Sequence, residues 1–487
     1  MSGEGETVSK RSGVGRASVG IIGGGLAGLS SACALADAGY QVTLFERRAF
    51  LGGRASSYEH PGTGEVVDNC QHVLLGCCTN LRNLYRRLDV EDKVRWYKRI
   101  TFIEPGGHSG CIEASWLPAP FHSAISFMQY GLLSLKDKIG IARALLALIP
   151  GVPEDSSDDF LSWLRRKGQT QAAIDRFWVP VLVSSLNEEL DKSSVKYAAL
   201  VFRDAFLKSA EAGMMGVPTA PLSELYGVAA NYIRARGGEV LLRSGVDAID
   251  CDGDREVKLH LNDRDYIFDY CVSAIPFHTV GRILPKGAES EELQQKVSHL
   301  RTVPITGIHL WFDREITPLE HAALLNRNIQ WMFQKSKILS RSAAQTASQN
   351  AGQEAKSGSY IELVVSSSKS LLTMGRAEII DLALKELTEF FPEASAAKLV
   401  KATVIKEVHA TFSPAPLSDE FRLDPSSPWP RLFLSGDWTA TGWPSTMEGA
   451  VRAGYLTAEA VSKAAGDAHR FVVPDLQPQG LMRLFRH

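Results

Sequence analysis

The feature that most constrains this chain is a glycine-rich turn between a short apolar run and a helix-forming stretch. Residues 18–22 (SVGII) are apolar and β-branched, and they predict a buried parallel strand. Residues 23–28 (GGGLAG) follow and fit the pattern G-x-G-x-x-G, with a helical pattern over 26–38. A second strand at 41–45 leads into Glu46. This order of strand, glycine turn, helix, strand and acid predicts a dinucleotide-binding βαβ unit.

The residues of the turn have separate physical tasks. Gly23 permits the tight turn, Gly25 lets the backbone approach a pyrophosphate, and Gly28 lets the helix pack close to the strand. Leu26 and Ala27 open the helix, where free N–H groups and the positive end of the helix dipole favour a phosphate. The turn therefore predicts a phosphate site at the amino end of the first helix.

The residues after the second strand extend this site. Glu46 is the 18th residue after the last glycine of the turn, near the spacing of about 20 expected for an acid that binds ribose, and Arg47 follows it. The pair Gly52 and Gly53 then precedes Arg54. A glycine pair beside a cation suits a second loop around the same pyrophosphate. An ordinary hairpin turn with a surface arginine fits these residues equally well.

A second polar corner lies near the carboxyl end. A short strand at 430–434 leads into Gly436 and Asp437, and a helical pattern runs from residue 446 to about 465. Considered without the amino-terminal turn, Gly436-Asp437 is a common turn sequence. The candidate binding residues at the start of this helix are Thr446, Met447 and Glu448.

Taken together, these segments resemble the amine-oxidase and phytoene-desaturase superfamily of flavoproteins, over nearly the whole chain after residue 17. Residues 67–88 (VDNCQHVLLGCCTNLRNLYRRL) resemble a segment of carotene desaturases. Residues 436–454 (GDWTATGWPSTMEGAVRAG) are similar to the end of squalene-associated FAD-dependent desaturases, now understood as hydroxysqualene dehydroxylases. The resemblance implies an α/β fold, in which a Rossmann-type FAD-binding domain is interleaved with an α+β substrate domain.

The resemblance also implies the ligands. FAD is the expected cofactor, with Asp437 on its ribityl chain or pyrophosphate and Val246 along its adenine. The helix that begins near Thr446 would face the pyrimidine edge of the flavin. The expected reaction is reductive removal of the hydroxyl of hydroxysqualene, which gives squalene in hopanoid synthesis. Two alternatives stay open: an oxidative carotenoid or phytoene-type desaturase, and a non-catalytic flavoprotein that binds lipid.

The domains are expected to alternate along the chain. The predicted FAD-binding domain comprises residues 18–106, 236–286 and 426–466. The predicted substrate domain comprises residues 107–235 and 287–425. The polar, Gly/Ser-rich residues 1–17 predict a disordered lead-in without a secretory signal, and residues 467–487 predict a tail. A Ser/Ala/Gln-rich insert at 340–359 predicts a mobile loop.

His72 is the catalytic candidate, because imidazole changes protonation near neutral pH and a departing hydroxyl needs a proton donor. A structural histidine that bonds to backbone explains the same residue as well. Cys70 and Cys78 stand where many relatives carry Gly and Tyr, which leaves the shape of the pocket near the flavin open.

Residues 121–135 and 139–149 predict two amphipathic helical stretches. They fit a peripheral membrane patch through which a lipid enters, or packing inside the substrate domain. The basic, apolar tail at 481–486 (LMRLFR) fits contact with headgroups or a frayed end. Pro118 and Pro120 argue against a membrane-spanning helix here.

Charge and cysteine content narrow the partners. A formal net charge of −2 gives no reason to expect nucleic acid. The seven cysteines are odd in number and include no C-x-x-C pair, which argues against a disulfide framework, a dithiol reductase and a structural zinc site. We expect a cytoplasmic protein, in peripheral contact with the inner face of the cell membrane if the lipid interpretation holds. No second G-x-G-x-x-G indicates an NAD(P)H site, so the electron donor is not indicated.

Overall fold

A five-stranded parallel sheet flanked by helices confirms the predicted α/β fold class. The computed structural model describes residues 6–9, 17–253, 255–262, 264–339 and 358–485. Within them, the five strands of the parallel sheet lie in the spatial order Glu239–Leu242, Gln41–Glu46, Ser18–Ile22, Tyr270–Ser273 and Leu432–Leu434. Three distant parts of the chain therefore build one sheet, as expected for interleaved domains.

The first βαβ unit forms where the glycine turn predicts it. Strand Ser18–Ile22 is buried along its whole length, which suits its β-branched residues. Helix Leu26–Asp37 begins after Gly25 and ends before Gly39, whose φ of 85° favours glycine. Strand Gln41–Glu46 pairs in parallel with Ser18–Ile22. The turn residues are thus held between two buried strands and one buried helix.

Two helices from opposite ends of the sequence cross in close contact. Helix Met447–Ala464 packs against Leu26–Asp37 at Gly454. A Cβ added to Gly454 would lie 1.9 Å from the Ser30 Oγ and 2.3 Å from the Ala27 carbonyl oxygen. The Ser31 hydroxyl donates to the Gly454 carbonyl at 2.8 Å. Only glycine allows this approach, which brings the amino ends of both helices to one edge of the parallel sheet.

A seven-stranded mixed sheet is the centre of the other half of the fold. Its seven described strands lie in the order Leu399–Phe412, Thr302–Phe312, Ser359–Ser366, Trp331–Gln334, His321–Leu324, Arg99–Ile103 and Ser109–Glu113. Helix Arg376–Phe390 covers one face, with Ile379, Ala383 and Leu387 buried. Between strands Ser109–Glu113 and Thr302–Phe312 the chain passes through the parallel sheet, and it returns there after Phe412, so the two sheets are linked by several crossings of the chain.

Smaller sheets complete the fold in the described residues. A four-stranded sheet lies in the order Glu6–Ser9, Arg264–Phe268, Glu256–Leu261 and Ala248–Asp252. A three-stranded sheet consists of Leu74–Leu75, Met215–Pro218 and Val94–Tyr97. A two-stranded sheet pairs Ser57–Glu59 with Val66–Asp68.

The helices concentrate between residues 121 and 234. The remaining α-helices of the described chain are Thr79–Arg87, Ala124–Gln129, Leu135–Leu146, Phe160–Arg166, Gln171–Ala173, Val179–Leu186, Val195–Val201, Leu222–Gly227, Ala229–Arg234, Phe277–Val280 and Ala288–Val297. Two segments, Ile174–Trp178 and Phe202–Leu207, are π-helical. Short 3₁₀ turns lie at Glu91–Lys93, Phe121–Ser123, Lys369–Leu371, Pro392–Ala396, Ser418–Phe421 and Gly480–Phe485.

The structure corrects three predicted domain boundaries. Strand Arg99–Ile103, predicted in the FAD-binding domain, belongs to the mixed sheet because it pairs with Ser109–Glu113 and His321–Leu324. The helices over 222–234, predicted in the substrate domain, bury their apolar side chains against the parallel sheet. Helix Ala288–Val297 does the same from the other side. Each of these segments lies where its apolar face is buried, which a linear boundary does not reveal.

The two ends of the chain also differ from expectation. Within the predicted disordered lead-in, Glu6–Ser9 forms a strand parallel to Arg264–Phe268, because that edge offers unpaired backbone groups. Residues 1–5 and 10–16 lie outside the described residues. The tail over 467–485 is docked rather than frayed: Met482 is buried and the Leu481 N–H donates to the Ala119 carbonyl at 2.9 Å. The low-complexity insert lies outside the described residues from 340 to 357.

The predicted amphipathic stretches are helical, with altered limits. The first becomes a 3₁₀ turn at Phe121–Ser123 followed by helix Ala124–Gln129. The second starts earlier than predicted, as helix Leu135–Leu146, because Ser134 and Asp137 form a capping box. None of the helices within the described residues combines the length and apolar character needed to cross a bilayer.

We expect Gly454→Ala to destabilise the protein by roughly 1–3 kcal/mol, because the added methyl must separate the two crossed helices. Gly140→Ala is the matched control. Its added Cβ would be 3.6 Å from the nearest neighbouring atom, and removing a helical glycine is expected to stabilise by about 0.5–1 kcal/mol. Urea unfolding of both variants measures the difference. Equal stability of the two variants would contradict the proposed role of the crossing.

Candidate active site

The two glycine loops of the amino-terminal part touch each other. The Gly52 N–H donates to the Gly24 carbonyl at 2.8 Å, and Gly25 and Gly52 form an isolated parallel bridge. A Cβ added to Gly53 would lie 2.8 Å from the Gly25 Cα. The Gly-Gly-Arg segment is therefore placed against the first glycine turn, and it is not an isolated surface hairpin.

Backbone geometry explains the glycines of the first turn. Gly23 has a φ of 105°, which other residues rarely adopt, and a Cβ added to Gly28 would lie 1.9 Å from the Gly23 carbonyl oxygen. Gly25 caps the helix without a side-chain hydrogen bond, so the first helical amides keep their hydrogen-bonding capacity. Leu26 and Ala27 line the same cavity. This end of the helix is built to receive an anion.

Glu46 fixes the turn from the adjacent strand. Its Oε2 accepts from the Gly24 N–H at 2.7 Å and its Oε1 accepts from the Arg48 N–H at 2.7 Å. Arg47 is exposed and lines the cavity beside it. Arg48, which the sequence interpretation missed, donates to the Gly53 carbonyl at 3.1 Å. Each carboxylate oxygen of Glu46 retains capacity to accept a further hydrogen bond, as binding of a ribose requires.

An ion pair connects the second glycine loop to the carboxyl-terminal corner. The Arg54 guanidinium bonds to the buried Asp437 carboxylate and donates to the Ala410 carbonyl at 2.9 Å. The Ser445 hydroxyl also bonds to Asp437. Burial alone would raise the pKa of Asp437, but Arg54 and Ser445 hold it below its ordinary value. Gly436 lines the cavity next to this carboxylate, which stays charged at neutral pH.

The final helix begins at the cavity wall. Thr446 caps it by accepting from the Gly449 N–H at 3.1 Å, and Met447 follows in the first turn. Glu448 is fully buried and accepts from the Arg452 Nε at 2.7 Å and the Leu81 N–H at 2.8 Å. Glu448 therefore holds this helix against helix Thr79–Arg87, while the amino end of the helix faces the cavity.

One cavity of about 830 Å³ connects these features. The sequence-predicted residues in its wall include Gly23, Gly25, Leu26, Ala27, Glu46, Arg47, Gly52, Gly53, Arg54, His72, Val246, Gly436, Asp437, Thr446, Met447 and Glu448. Gly28 stands behind the wall and acts through its contact with Gly23. The structure thus brings both ends of the sequence to a single site.

The cavity continues into an apolar chamber between the helices and the mixed sheet. Four phenylalanines form a chain of ring contacts along it, with centroid distances of 5.6, 5.8 and 5.9 Å between successive members. These residues are Phe127, Phe177, Phe202 and Phe206. Ile100, Val181 and Phe333 are among the other lining side chains. The chamber suits a long hydrocarbon ligand, because nearly all of its surface would leave water.

Comparison with known proteins identifies the family. The model of the family described as flavin containing amine oxidoreductase matches residues 26–462. The chain belongs to this family. It is 28% identical to the 15-cis-phytoene desaturase of Synechococcus elongatus, over 91% of this chain and 95% of that protein. It is 26% identical to the zeta-carotene desaturase of Synechocystis sp., over 91% of this chain and 96% of that protein.

The solved structure of wild-type putrescine oxidase with putrescine bound shares the fold, with a TM-score of 0.67 at 16% identity over 93% of this chain and 98% of that chain. The predicted resemblance to the amine-oxidase and phytoene-desaturase superfamily is confirmed. The named relatives are carotenoid desaturases, so the narrower likeness to hydroxysqualene dehydroxylases stays a prediction.

This flavin-dependent oxidoreductase uses FAD as its cofactor. The residues of the site fit that group. Two helix amino ends and two touching glycine loops leave room and N–H groups for a pyrophosphate, and Glu46 suits a ribose. Bound FAD supplies two-electron hydride transfer. The Arg54–Asp437 pair would position this group, and the positive helix end at Thr446 would stabilise negative charge on it.

His72 lies in the cavity wall, but its bonding does not favour a proton donor. Its Nδ1 lies 2.7 Å from the Cys70 carbonyl oxygen, which can only accept, so Nδ1 carries the proton. Burial lowers the pKa of His72, which makes the ring neutral at pH 7. The Nε2 atom is then an acceptor. The structure places His72 at the site, and its role as an acid stays a prediction.

A buried cluster behind His72 was not found from the sequence. Lys335 lies 2.7 Å from Asp68, 2.8 Å from the Gln71 Oε1 and 3.4 Å from Glu362, and all three charged side chains are at most 3% exposed. Burial alone would lower the pKa of Lys335, but Asp68 and Glu362 raise it. The cluster ties the loop with Gln71 and His72 to the mixed sheet. The one sequence signal for this cluster is Asp68, a single acidic residue directly after the apolar pair Val66 and Val67.

Glu362→Gln should become more stable than the wild type as pH rises. Burial raises the pKa of Glu362 to about 7 in the folded protein, from an ordinary value of 4.5, although Lys335 acts in the opposite direction. The fold therefore favours the protonated carboxyl, and the wild type loses stability between about pH 4.5 and 7. Glutamine imitates the protonated form and avoids this loss.

Urea unfolding at pH 5, 6, 7 and 8 tests this expectation, with the exposed Glu393→Gln as control. The stability difference between Glu362→Gln and wild type should rise up to about pH 7 and then level off. A difference that stays constant with pH would contradict the assignment.

Proposed function

We propose that this flavoprotein transfers hydride between FAD and a long isoprenoid lipid. The observation that carries the proposal is the continuous cavity, which runs from the glycine loops and Asp437 into the chamber lined by Phe127, Phe177, Phe202 and Phe206. A flavin in the polar part would meet a hydrocarbon chain in the apolar part. The lining excludes water from the reacting carbon, which protects a carbocation-like state from capture.

The first candidate reaction is reductive dehydroxylation of hydroxysqualene to squalene, in the synthesis of hopanoids and other triterpenoids. Its support is the similarity of residues 436–454 to hydroxysqualene dehydroxylases. The carbon–oxygen bond breaks, the oxygen takes a proton and leaves as water, and the carbon accepts hydride. The reduced cofactor supplies both electrons, and the chain must supply the proton.

The second candidate is oxidative desaturation of a carotenoid precursor such as phytoene. The relatives named as phytoene and zeta-carotene desaturases favour this candidate over the first. Hydride then moves from the lipid to the cofactor, and a proton must be accepted. The same chamber serves both reactions, because both substrates are long and apolar.

One paired assay separates the candidates. Protein reduced with dithionite under anaerobic conditions is incubated with hydroxysqualene, and oxidised protein is incubated with phytoene plus a quinone. Formation of squalene with reoxidation of the flavin absorbance supports dehydroxylation, and formation of a more unsaturated carotene supports desaturation. A protein that holds FAD but converts neither lipid would indicate a non-catalytic lipid-binding role and would overturn both.

We also propose that the substrate enters from a membrane surface at the helices next to the chamber. Phe121, Leu135, Ile139, Leu146 and Leu484 expose apolar side chains. Their segments adjoin, because the Leu481 N–H bonds to the Ala119 carbonyl and Arg203 bonds to the carbonyls of Ile149 and Phe485. Phe121 and Leu146 also line the cavity, so the exposed patch and the chamber are continuous. The exposed cations nearby are Lys136, Arg143 and Arg483. An apolar patch with basic residues suits peripheral contact with an anionic leaflet, such as the inner face of a cell membrane.

Leu135→Glu combined with Ile139→Glu should weaken binding to vesicles that contain phosphatidylglycerol by at least about ten-fold. Two apolar side chains that would leave water are replaced by charges that anionic lipid repels. The control is Val400→Glu combined with Val408→Glu, on the outer strand Leu399–Phe412, where the exposed valines lie outside the patch. Vesicle co-sedimentation measures the effect, and equal losses in both pairs would refute a specific docking face.

A further inference from the structure

The apolar chamber contains one acidic side chain that the cofactor site does not use. The carboxylates that line the cavity within the described residues are Glu46, Asp204, Glu407, Asp437 and Glu448. Glu46, Asp437 and Glu448 hold the loops and helix described above. Glu407 adds negative charge beside Arg54. Asp204 is the remaining carboxylate, and it needs a separate explanation.

Asp204 is placed in the chamber wall by an irregular helix. It belongs to the π-helical segment Phe202–Leu207, whose members Phe202 and Phe206 stand in the row of phenylalanines. A π-helical turn shifts side chains relative to a regular helix and costs backbone regularity, so it is found mostly where a side chain must take a particular position. The segment thus presents a carboxylate among aromatic side chains.

Asp204 pairs with Lys208 rather than with a distant part of the fold. The Lys208 Nζ lies 3.0 Å from the Asp204 Oδ1, four residues apart on the same segment, and each side chain is 14% exposed. In contrast, the pairs of Asp437 with Arg54 and of Asp68 with Lys335 join positions 383 and 267 residues apart. A pair within one helical segment contributes little to the fold, yet removing it from water is costly.

The neighbours of Asp204 place it toward the flavin end of the chamber. A hydrogen bond with Cys78, burial, and then the negative charges of Asp204 and Glu448 raise the pKa of the Cys77 thiol well above its ordinary value. Cys77, Phe206 and Trp443 pack in one small cluster. Ala205 and Phe206 directly follow Asp204 and belong to this cluster, so Asp204 lines the cavity near the corner that follows Asp437.

We propose that Asp204 and Lys208 form the polar anchor of the chamber and bind the hydroxyl group of an isoprenoid alcohol. The Asp204 carboxylate accepts a hydrogen bond from the hydroxyl, and the Lys208 ammonium holds the carboxylate in place. A pure hydrocarbon cannot satisfy this carboxylate, and it would leave a charged group against an apolar chain. The pair is thus a specificity determinant: it favours an oxygenated substrate over a hydrocarbon of the same length. This inference rests on the proposed isoprenoid function.

The test compares the binding of hydroxysqualene and squalene to the oxidised FAD-bound protein, where no turnover occurs. Perturbation of the flavin absorbance in detergent solution gives both dissociation constants. The wild type should bind hydroxysqualene at least about ten-fold more tightly than squalene, because a hydrogen bond to a charged group is among the stronger ones. Asp204→Leu should lose this preference while its affinity for squalene is unchanged or higher.

Two further variants keep the result decisive. Asp204→Asn retains the shape of the side chain and should show a reduced preference, even if Asp204→Leu does not fold. Lys192→Met removes the exposed ion pair of Lys192 with Glu189 and should keep the full preference. FAD content and thermal unfolding show whether each variant is folded.

The outcomes separate this inference from the function on which it rests. A wild type that binds both lipids without preference, or folded Asp204 variants that keep the preference, would overturn the anchor and leave the isoprenoid function standing. A wild type that binds neither lipid overturns the proposed function as well. The anchor is supported if the Asp204 variants lose the preference for the alcohol while the wild type and Lys192→Met keep it.

Discussion

The close crossing of helices Leu26–Asp37 and Met447–Ala464 determines where the active site lies. At Gly454 the two backbones approach so closely that no side chain fits, and the Ser31 hydroxyl bonds across the contact. Because each helix is rigid, this one contact fixes the positions of both helix amino ends at the edge of the parallel sheet. The two positive helix ends and the two glycine loops then converge, and the site forms although its parts lie at opposite ends of the sequence.

Charged groups inside the protein are arranged around this convergence. Burial of an ion pair is costly, and its attraction seldom exceeds that cost by much. The Lys335–Asp68 pair nevertheless lies deep in the fold, and the Arg54–Asp437 pair lies in the wall of the cavity with Asp437 buried. Each pair joins distant segments of the chain. What these pairs provide is position. Arg54 holds the second glycine loop to the carboxyl-terminal corner, and Lys335 holds the loop of Gln71 and His72 to the mixed sheet.

The sequence predicts those parts of the site where backbone sterics restrict the residue type. Gly23 and Gly28 could be identified because a positive φ and a helix–strand contact exclude other residues. Lys335 and Asp204 could not, because a single charged residue in an apolar stretch resembles a surface residue until its neighbours are known. Domain limits failed for the same reason. The hydrophobic pattern of strand Arg99–Ile103 would suit the parallel sheet or the mixed sheet. Only its pairing with Ser109–Glu113 shows that it belongs to the mixed sheet.

The polarity of the chamber bears on the direction of hydride transfer. Desaturation of a hydrocarbon requires an acceptor for a proton but no group that recognises an oxygen, whereas dehydroxylation requires a polar contact at one point of an otherwise apolar channel. His72 as a neutral acceptor fits the first requirement, and the Asp204–Lys208 pair fits the second. The relatives of the chain include proteins named as phytoene and zeta-carotene desaturases. The cost of keeping an ion pair beside phenylalanine rings is the physical argument for the proposed preference for an oxygenated isoprenoid.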